Sequence, residues 1–449
     1  MMRLSQTDTT GDAVTVCLYL AIPEREETRR EIAPWPRRLK SLIRATQDRA
    51  ATVLSGRLHL DIHHYATAHV VYGNTNQGDI AIRKAIAQQL TTAFAPRPVR
   101  FLEVKWGELT DRVAMEINAR CDLFVIAGGG YIFLKADGSP GHMLETVREL
   151  DKVRCPIFAY GIGLNRLMHE EVCALSDLPE STREKIRYLV ERCEKISVRD
   201  TETARLFALN SRKPVAVAGD PALFYQPNTY PVPARAGGRA VIGVNLAAHG
   251  WRAFAVLKPL LPAIIAFLKN IQHDSELVYL QHHELERPVV EFLRAQGVQF
   301  KAVYGRSGDL WEGYAAADFV VCQMLHSAVF AACAGKPFFN IAYDRKNMAF
   351  CELLGLPDCC LPNSEAGLPA LEERFSFLFH NREAFSVALS RRKKALRPVQ
   401  TRFAALLAAE VPQPTASDVL DLQEDMVYLP EAGAIMPSMA SVRPFDIRR

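Results

Sequence analysis

The sequence predicts an α/β protein made of two doubly wound, Rossmann-like domains in tandem. Three observations carry this reading. From about residue 66, apolar runs of strand length alternate with amphipathic helical stretches. The strand-like runs are continuously apolar, as parallel strands covered on both faces must be. The alternation halts once, at YQPNTYPVPARAGGR (225–239), where three prolines and two glycines break any period, and then restarts. A chain of 449 residues is also long for one domain and suits two.

The elements follow in order. TAHVVYG reads as a strand running into a helix over 79–94. VRFLEV follows, then a helix over 109–120 and the run CDLFVIAGGG. The stretch 141–153 is helical, PIFAYGIG a strand, 180–194 a helix and KISVRD a strand. A helix over 201–210 and the strand-like PVAVAGDPA complete the first unit. After the linker come AVIGVNLA, a helix over 257–270, ELVYLQHH, a helix over 284–296, VQFKAVY and a helix over 309–317. DFVVCQ, a helix over 325–334, PFFNIAY, a helix over 346–354 and a long helix over 381–409 end the series. The expected division is an extension (1–65), a first domain (66–225), a linker (226–239) and a second domain (240–380). A helix bracing back on the first unit (381–411) and a tail (412–449) follow. AVTVCLYLAIP (13–23) reads as a strand rather than a signal peptide, and the charged 25–50 segment is assigned no chemistry.

Composition narrows the function. Hydrophobic residues make up 49% and charged residues 23%, the balance of a soluble enzyme. A net charge of +4 without a concentrated basic face gives no support for nucleic acid as a partner. RRLK (37–40) and RRKK (391–394) read as solvated helix faces. The ten cysteines contain no C-x-x-C and sit mostly in apolar runs, which fits free thiols in a reducing cytoplasm. No zinc site is expected. No apolar run approaches the ~18 residues of a membrane span, so none is expected either. The HH pairs at 63–64 and 282–283 lie on strands, where neighbours point to opposite faces, and are read as structural.

Polar and glycine-rich residues gather where strands end: GNTNQGD, AGGGYIF, YGIGLN, SVRD and AGDPAL. Glycines there admit a ligand close to the backbone, and the next helix supplies N–H donors to an anion. Five such loops on one cleft point to a binding site. In the second unit His326 follows a strand at the first turn of a helix, and Lys346 follows YD after another.

These stretches together resemble the polysaccharide pyruvyltransferase family. The resemblance rests on N-x-x-x-GD at 74–79, GGG at 128–130, YGIG at 160–163, SVRD at 197–200, GDPAL at 219–223 and LHSAVFAACAGKPFFNIAYDRK at 325–346. They occur in the family's order and span roughly 66–361. The fold this implies is similar to the two-Rossmann GT-B glycosyltransferases. The activity implied is transfer of the enolpyruvyl group of phosphoenolpyruvate onto two sugar hydroxyls as a cyclic ketal, in cell-surface polysaccharide, exopolysaccharide or glycoconjugate biosynthesis. Phosphoenolpyruvate is then a substrate; no cofactor and no metal is implied. The acceptor would be a sugar, nucleotide-sugar or lipid-linked saccharide, the place cytoplasmic, and a homo-oligomer is allowed.

The resemblance assigns Arg199, Lys346 and His326 to the donor's carboxylate and phosphate. A guanidinium fork and an ammonium suit those groups, and His326 can donate to the anion or shuttle a proton. Against this, Arg199 can simply pair with Asp200. Asp79 is expected to accept or orient an acceptor hydroxyl, although an acid in a helix's first turn is favoured by the dipole alone. Asn74, Gly129 and Gly130 complete the expected binding set. One departure stands out: Met324 occupies the place where the family often has Arg, with Arg345 or Arg252 as candidate substitutes. Trp251 is a candidate for stacking on a sugar. Two other readings share the architecture: a GT-B nucleotide-sugar glycosyltransferase, and a non-catalytic relative kept for binding.

Overall fold

The computed structural model describes residues 13–24, 76–166, 173–227, 238–248, 251–305 and 309–411, with Ile43 and Gln47. Two six-stranded parallel sheets form its centre. The first has strands β1 (Val14–Leu20), β2 (Val99–Lys105), β3 (Leu123–Ala127), β5 (Ile157–Ile162), β7 (Lys195–Val198) and β8 (Ala216–Val217). Its order is β2-β1-β3-β5-β7-β8. A separate parallel pair, β4 (Ile132–Phe133) with β6 (Leu164–Asn165), sits above the carboxyl ends of β3 and β5. The second sheet has β9 (Ala240–Asn245), β10 (Ser275–Gln281), β11 (Lys301–Tyr304), β12 (Phe319–Cys322), β13 (Phe338–Ala342) and β14 (Cys360–Pro362), ordered β11-β10-β9-β12-β13-β14. That is the doubly wound order with its reversal between the first and fourth strands. Ligands bind beyond the carboxyl ends at such a reversal. The corresponding point in the first sheet lies between β1 and β3.

The strands are buried along nearly their whole length in β3, β5, β12 and β13, which is why they read as unbroken apolar runs. The helices that bear on the cleft are α1 (Gln77–Phe94), α2 (Thr201–Ala208), α3 (Leu325–Cys333), α4 (Arg345–Leu353) and α5 (Arg382–Ala409). α1 starts on an Asn76 cap, whose side chain accepts from the Gly78 N–H. α2 and α4 start on Asp200 and Asp344, which cap the Thr203 and Lys346 N–H groups. α5 runs back from the second sheet to the first. Phe403 packs on Tyr160, and the Gln400 amide donates to the Gly219 and Asp220 carbonyls at 3.2 and 3.1 Å.

Several details depart from the sequence reading. Val14–Leu20, placed within the extension, is an inner strand of the first sheet, paired with both β2 and β3. Its seven-residue apolar run fits a buried parallel strand, and only its distance along the chain hid its membership. TAHVVYG lies outside the described residues. The helix expected over 257–270 is two helices, Trp251–Leu257 and Leu261–Ile271, parted by a 3-10 turn at Lys258–Leu260. Pro259 and Pro262 lack the N–H that a continuous helix needs. The span Ala253–Ile271, 19 residues of mean hydropathy 1.6, is nonetheless long and apolar enough for a membrane by those measures, contrary to the expectation that no run reaches that length. Here Leu257, Leu261, Ile264, Phe267 and Leu268 are core residues, and Phe267 meets Phe375 edge-on. Leu368–His380 is a helix, and Cys360–Pro362 a sixth strand, that the sequence reading left unassigned.

Candidate active site

The carboxyl ends of the two sheets meet directly. Arg166, just past β6, accepts at its carbonyl from the Arg345 N–H at 3.1 Å. Its own N–H donates to Asp344 Oδ1 at 3.3 Å. On the other side the Gln77 N–H, at the start of α1, donates to the His282 carbonyl beyond β10 at 3.3 Å. Loops of the first domain therefore close on the first turns of α3 and α4 in the second.

His326 lies in the first turn of α3, against the first turn of α1. The contact is so close that a Cβ added to Gly78 would fall 1.7 Å from His326 Nδ1. Only glycine admits the imidazole there. Arg199 shows the same relation to Gly163, where a Cβ would stand 2.0 Å from its Nε. The guanidinium is 4% exposed and held from three sides. Nε donates to Asp200 Oδ2 at 3.2 Å, and Nη2 to the Leu164 carbonyl and Asn165 Oδ1 at 2.8 and 2.9 Å. The pairing with Asp200 is thus present, yet it occupies only one edge of the fork. Nη1 has no partner among the described residues.

Asn165 is the hinge of this arrangement. Its amide also donates to the Gly130 carbonyl at 3.4 Å, and a Cβ at Gly130 would land 1.8 Å from it. Gly129 takes a φ of +69°, so it must be glycine-like. The missing side chain lets the Trp106 ring and Asp79 Oδ1 close over this position, 3.1 and 3.6 Å from where a Cβ would be.

Lys346, in the first turn of α4, has its ammonium 3.7 Å from Asp344 Oδ2 and 5.4 Å from the Tyr343 ring centre. Burial draws its pKa down, but Tyr343 and Asp344 together outweigh that and leave it above the ordinary lysine value. The ammonium therefore stays charged.

Two carboxylates face these cations. Asp79 Oδ2 accepts from Asn76 Nδ2 at 2.8 Å. Burial raises its pKa; Lys346 opposes, Asp220 adds to the rise, Arg199 opposes, and the outcome is about 6. Burial likewise lifts Asp220 to about 6 against the pull of Arg199. Asp220 Oδ1 accepts from the Ala222 N–H at 2.9 Å, whereas Oδ2 is buried without a partner. The cleft thus combines fixed cations with two carboxyls that change protonation near neutral pH.

Of the sequence-derived set, Asp79, Arg199, His326, Lys346, Gly129 and Gly130 all belong to this cleft. Asn74 lies outside the described residues, as do the side chains of Trp251 and Arg252. Met324 caps the start of α3 without a side-chain bond and is 3% exposed in a small apolar cluster with Ala247, Ala253, Val256 and Tyr343. Arg345 is surface-exposed and does not enter that cluster. His282 Nε2 and Tyr314 Oη lie 2.6 Å apart, and Tyr314 reaches Ser327, next to His326, at 2.5 Å. His283 Nδ1 accepts from the Leu285 N–H at 3.0 Å. His63 and His64 lie outside the described residues. No group of three or more metal-ligating side chains occurs among the described residues.

Asn165, Asp220, Asn76 and Trp106 were not singled out in the sequence. The first two stand inside YGIGLN and AGDPAL, so the loops were visible but not the residue that matters. Asn76 is the polar residue just before the helix, a capping signal. Trp106 directly follows β2 in an otherwise unremarked EVKWGE.

Comparison with known proteins settles the family. A family model described as polysaccharide pyruvyl transferase matches residues 63–345. The chain belongs to the polysaccharide pyruvyl transferase family. The match takes in the cleft residues from Asp79 to Met324 and His326, and ends one residue short of Lys346. No curated protein is significantly similar in sequence. Among solved structures, an α,α-trehalose 6-phosphate synthase from Burkholderia multivorans is similar at a TM-score of 0.44 and 12% identity, over 91% of this chain and 100% of that one. A UDP-N-acetylglucosamine 2-epimerase gives 0.44 and 10%, over 91% and 99%. The glycosyltransferase SnogD from Streptomyces nogalater gives 0.38 and 15%, over 88% and 99%. The two Rossmann-type layers are established by the strand order, not by these low scores.

Proposed function

We propose that this family member transfers the pyruvyl group of phosphoenolpyruvate to two hydroxyls of a sugar, forming a cyclic ketal and releasing phosphate. The observation that carries the reading is the convergence of Arg199, Lys346 and His326 on the first turn of α1, which carries Asp79. A donor with a carboxylate and a phosphate needs several cations in one place. Arg199 supplies a fork with Nη1 still available, and Lys346 a charged ammonium.

In this reading the methylene carbon gains a proton from solvent and a sugar hydroxyl bonds to C2, giving its proton to Asp79, which returns it to solvent. The C2–O bond to phosphate then breaks, with His326 donating to the departing oxygen. The second hydroxyl bonds to C2 to close the ketal and passes its proton to the imidazole of His326, restoring it. A carboxyl with a pKa of about 6 is suited to accept and return such a proton. Met324 contributes no charge, so donor recognition falls to Arg199 and Lys346. The acceptor is a saccharide, free or carried on a nucleotide or lipid, and the reaction needs no further cofactor.

The test is phosphate release from phosphoenolpyruvate in the presence of a saccharide panel, with uridine nucleotides as controls. His326→Ala should lower the rate by ~100-fold or more with the fold intact. An unchanged rate, or stabilisation by uridine nucleotides and not by phosphoenolpyruvate, overturns the reading.

A further inference from the structure

His282 directly follows β10 and is tied to both helices that enclose His326. Its ring is buried, 4.8 Å from Phe330 between centres and edge-on to Tyr314 at 5.8 Å. Nε2 lies 2.6 Å from Tyr314 Oη, and Tyr314 Oη lies 2.5 Å from Ser327 Oγ. Tyr314, in the helix Asp309–Ala316, and Ser327, in the first turn of α3, are fully buried. A tyrosine hydroxyl carries one proton, so in either direction the three groups form a single hydrogen-bonded chain. That chain ends on the residue next to His326. The backbone of His282 makes the second connection. Its carbonyl accepts from the Gln77 N–H at 3.3 Å, in the first turn of α1 beside Gly78. Gly305, just past β11, also admits the Gln77 side chain: a Cβ there would stand 2.3 Å from Gln77 Cγ. The His282 N–H is fixed in turn by Glu286 Oε1 at 3.1 Å.

A phenyl ring and a methyl group would fill the places of Tyr314 and Ser327 with no polar atom to satisfy. A buried chain whose members are joined instead fixes one arrangement of the elements it connects. Here those elements are α3, which carries His326, and α1, whose Gly78 receives the imidazole. The fit between them is tight, since a single carbon added at Gly78 would stand 1.7 Å from His326 Nδ1. A shift in the first turn of either helix therefore moves the imidazole relative to the cleft. We propose that His282 is a positioning residue for His326, holding the first turn of α3 through Tyr314 and Ser327 and that of α1 through Gln77. The consequence for turnover rests on the reading that His326 acts on the donor; the placement of the imidazole does not.

The test uses the full-length protein. Tyr314→Phe keeps the ring and removes only the hydroxyl that joins His282 to Ser327. It should lower kcat for phosphate release by about tenfold or more and leave the KM for phosphoenolpyruvate within about threefold. In the His326→Ala background the same substitution should change the residual rate by less than about threefold. His282→Gln retains a polar group at the place of Nε2 and should stay within about threefold of the original kcat, whereas His282→Leu should lose as much as Tyr314→Phe. A readout that needs no turnover is the histidine Cε1–H magnetic resonance signal that vanishes in His326→Ala. Tyr314→Phe and His282→Leu should move it, and His282→Gln should not. The inference is overturned if Tyr314→Phe leaves kcat or that signal unchanged, if its effect is as large without His326, or if His282→Gln loses as much as His282→Leu. If the unaltered protein releases no phosphate from phosphoenolpyruvate, the pyruvyl-transfer reading fails, and the signal alone decides whether His282 positions His326.

Discussion

Gly78→Ala should disable the site without altering any chemical group in it. The added methyl would lie 1.7 Å from His326 Nδ1, 2.0 Å from Cγ and 2.4 Å from Cε1. Ordinary carbon contacts begin near 3.5 Å, so the imidazole must retreat by roughly 1.5–2 Å. Because Cγ is itself in the clash, rotating the far edge of the ring does not relieve it. The side chain has to change rotamer or the first turn of α1 has to move. A displacement of this order costs about a hundredfold or more in rate when the displaced group acts on the substrate.

Stability should change little. Alanine favours a helix over glycine by up to about 1 kcal/mol, and the displaced histidine is partly exposed and can relocate. The assay is a cycle of Gly78→Ala, His326→Ala and the double variant, read as phosphate release and as thermal denaturation. Removing His326 also removes the obstacle. Gly78→Ala should therefore reduce the rate by about 100-fold in the original background and by less than about threefold in the His326→Ala background. A Gly78→Ala protein within about threefold of the original rate refutes the reasoning, and so does a loss of equal size in both backgrounds.

Three further outcomes follow from the same geometry. Asp79 and Asp220 have folded pKa values of about 6, above the ordinary 3.8, so their ionisation opposes folding. That penalty is absent below about pH 4, grows as pH rises through the interval to 6 and is complete above it, at a scale of a few kcal/mol for each group. Asp220→Asn should accordingly flatten the fall of melting temperature between pH 4.5 and 7; an unaltered slope argues against a buried Asp220 charge. Arg199→Lys keeps the positive charge but cannot span Asp200, Leu164 and Asn165 together, and should weaken phosphoenolpyruvate binding by about tenfold, measured by thermal shift against ligand concentration. Affinity equal to the original would show that charge alone suffices. Gln400→Leu deprives the Gly219 and Asp220 carbonyls of their donor and should cost about 1–3 kcal/mol in denaturant unfolding; no loss would mean the two carbonyls find other partners.

The fold was legible wherever a local pattern decided it. Parallel strands buried on both faces read as apolar runs. What escaped had a nonlocal cause. β1 is an ordinary apolar strand, but the partners that make it an inner strand, β2 and β3, lie about 80 and 100 residues further on. No local signal announces such pairing. The site divides in the same way. Arg199, His326 and Lys346 were singled out by their places in the strand-end motifs SVRD and LHSAVFAACAGKPFFNIAYDRK. Asn165 and Asp220 are common residue types in loops, Trp106 follows a strand with no motif around it, and the place of each is set by what faces it. Asn165 matters because Gly130 leaves room for its amide and Arg199 arrives on its other side. Trp106 matters because Gly129 lacks a side chain. The glycines themselves were visible, but their reading was incomplete. A loop glycine suggested a ligand close to the backbone, whereas Gly78, Gly130 and Gly163 make room for His326, Asn165 and Arg199 of this same chain. In this cleft the glycines first admit the protein's own functional side chains. Gly129 does the same for the edge of the Trp106 ring and for Asp79.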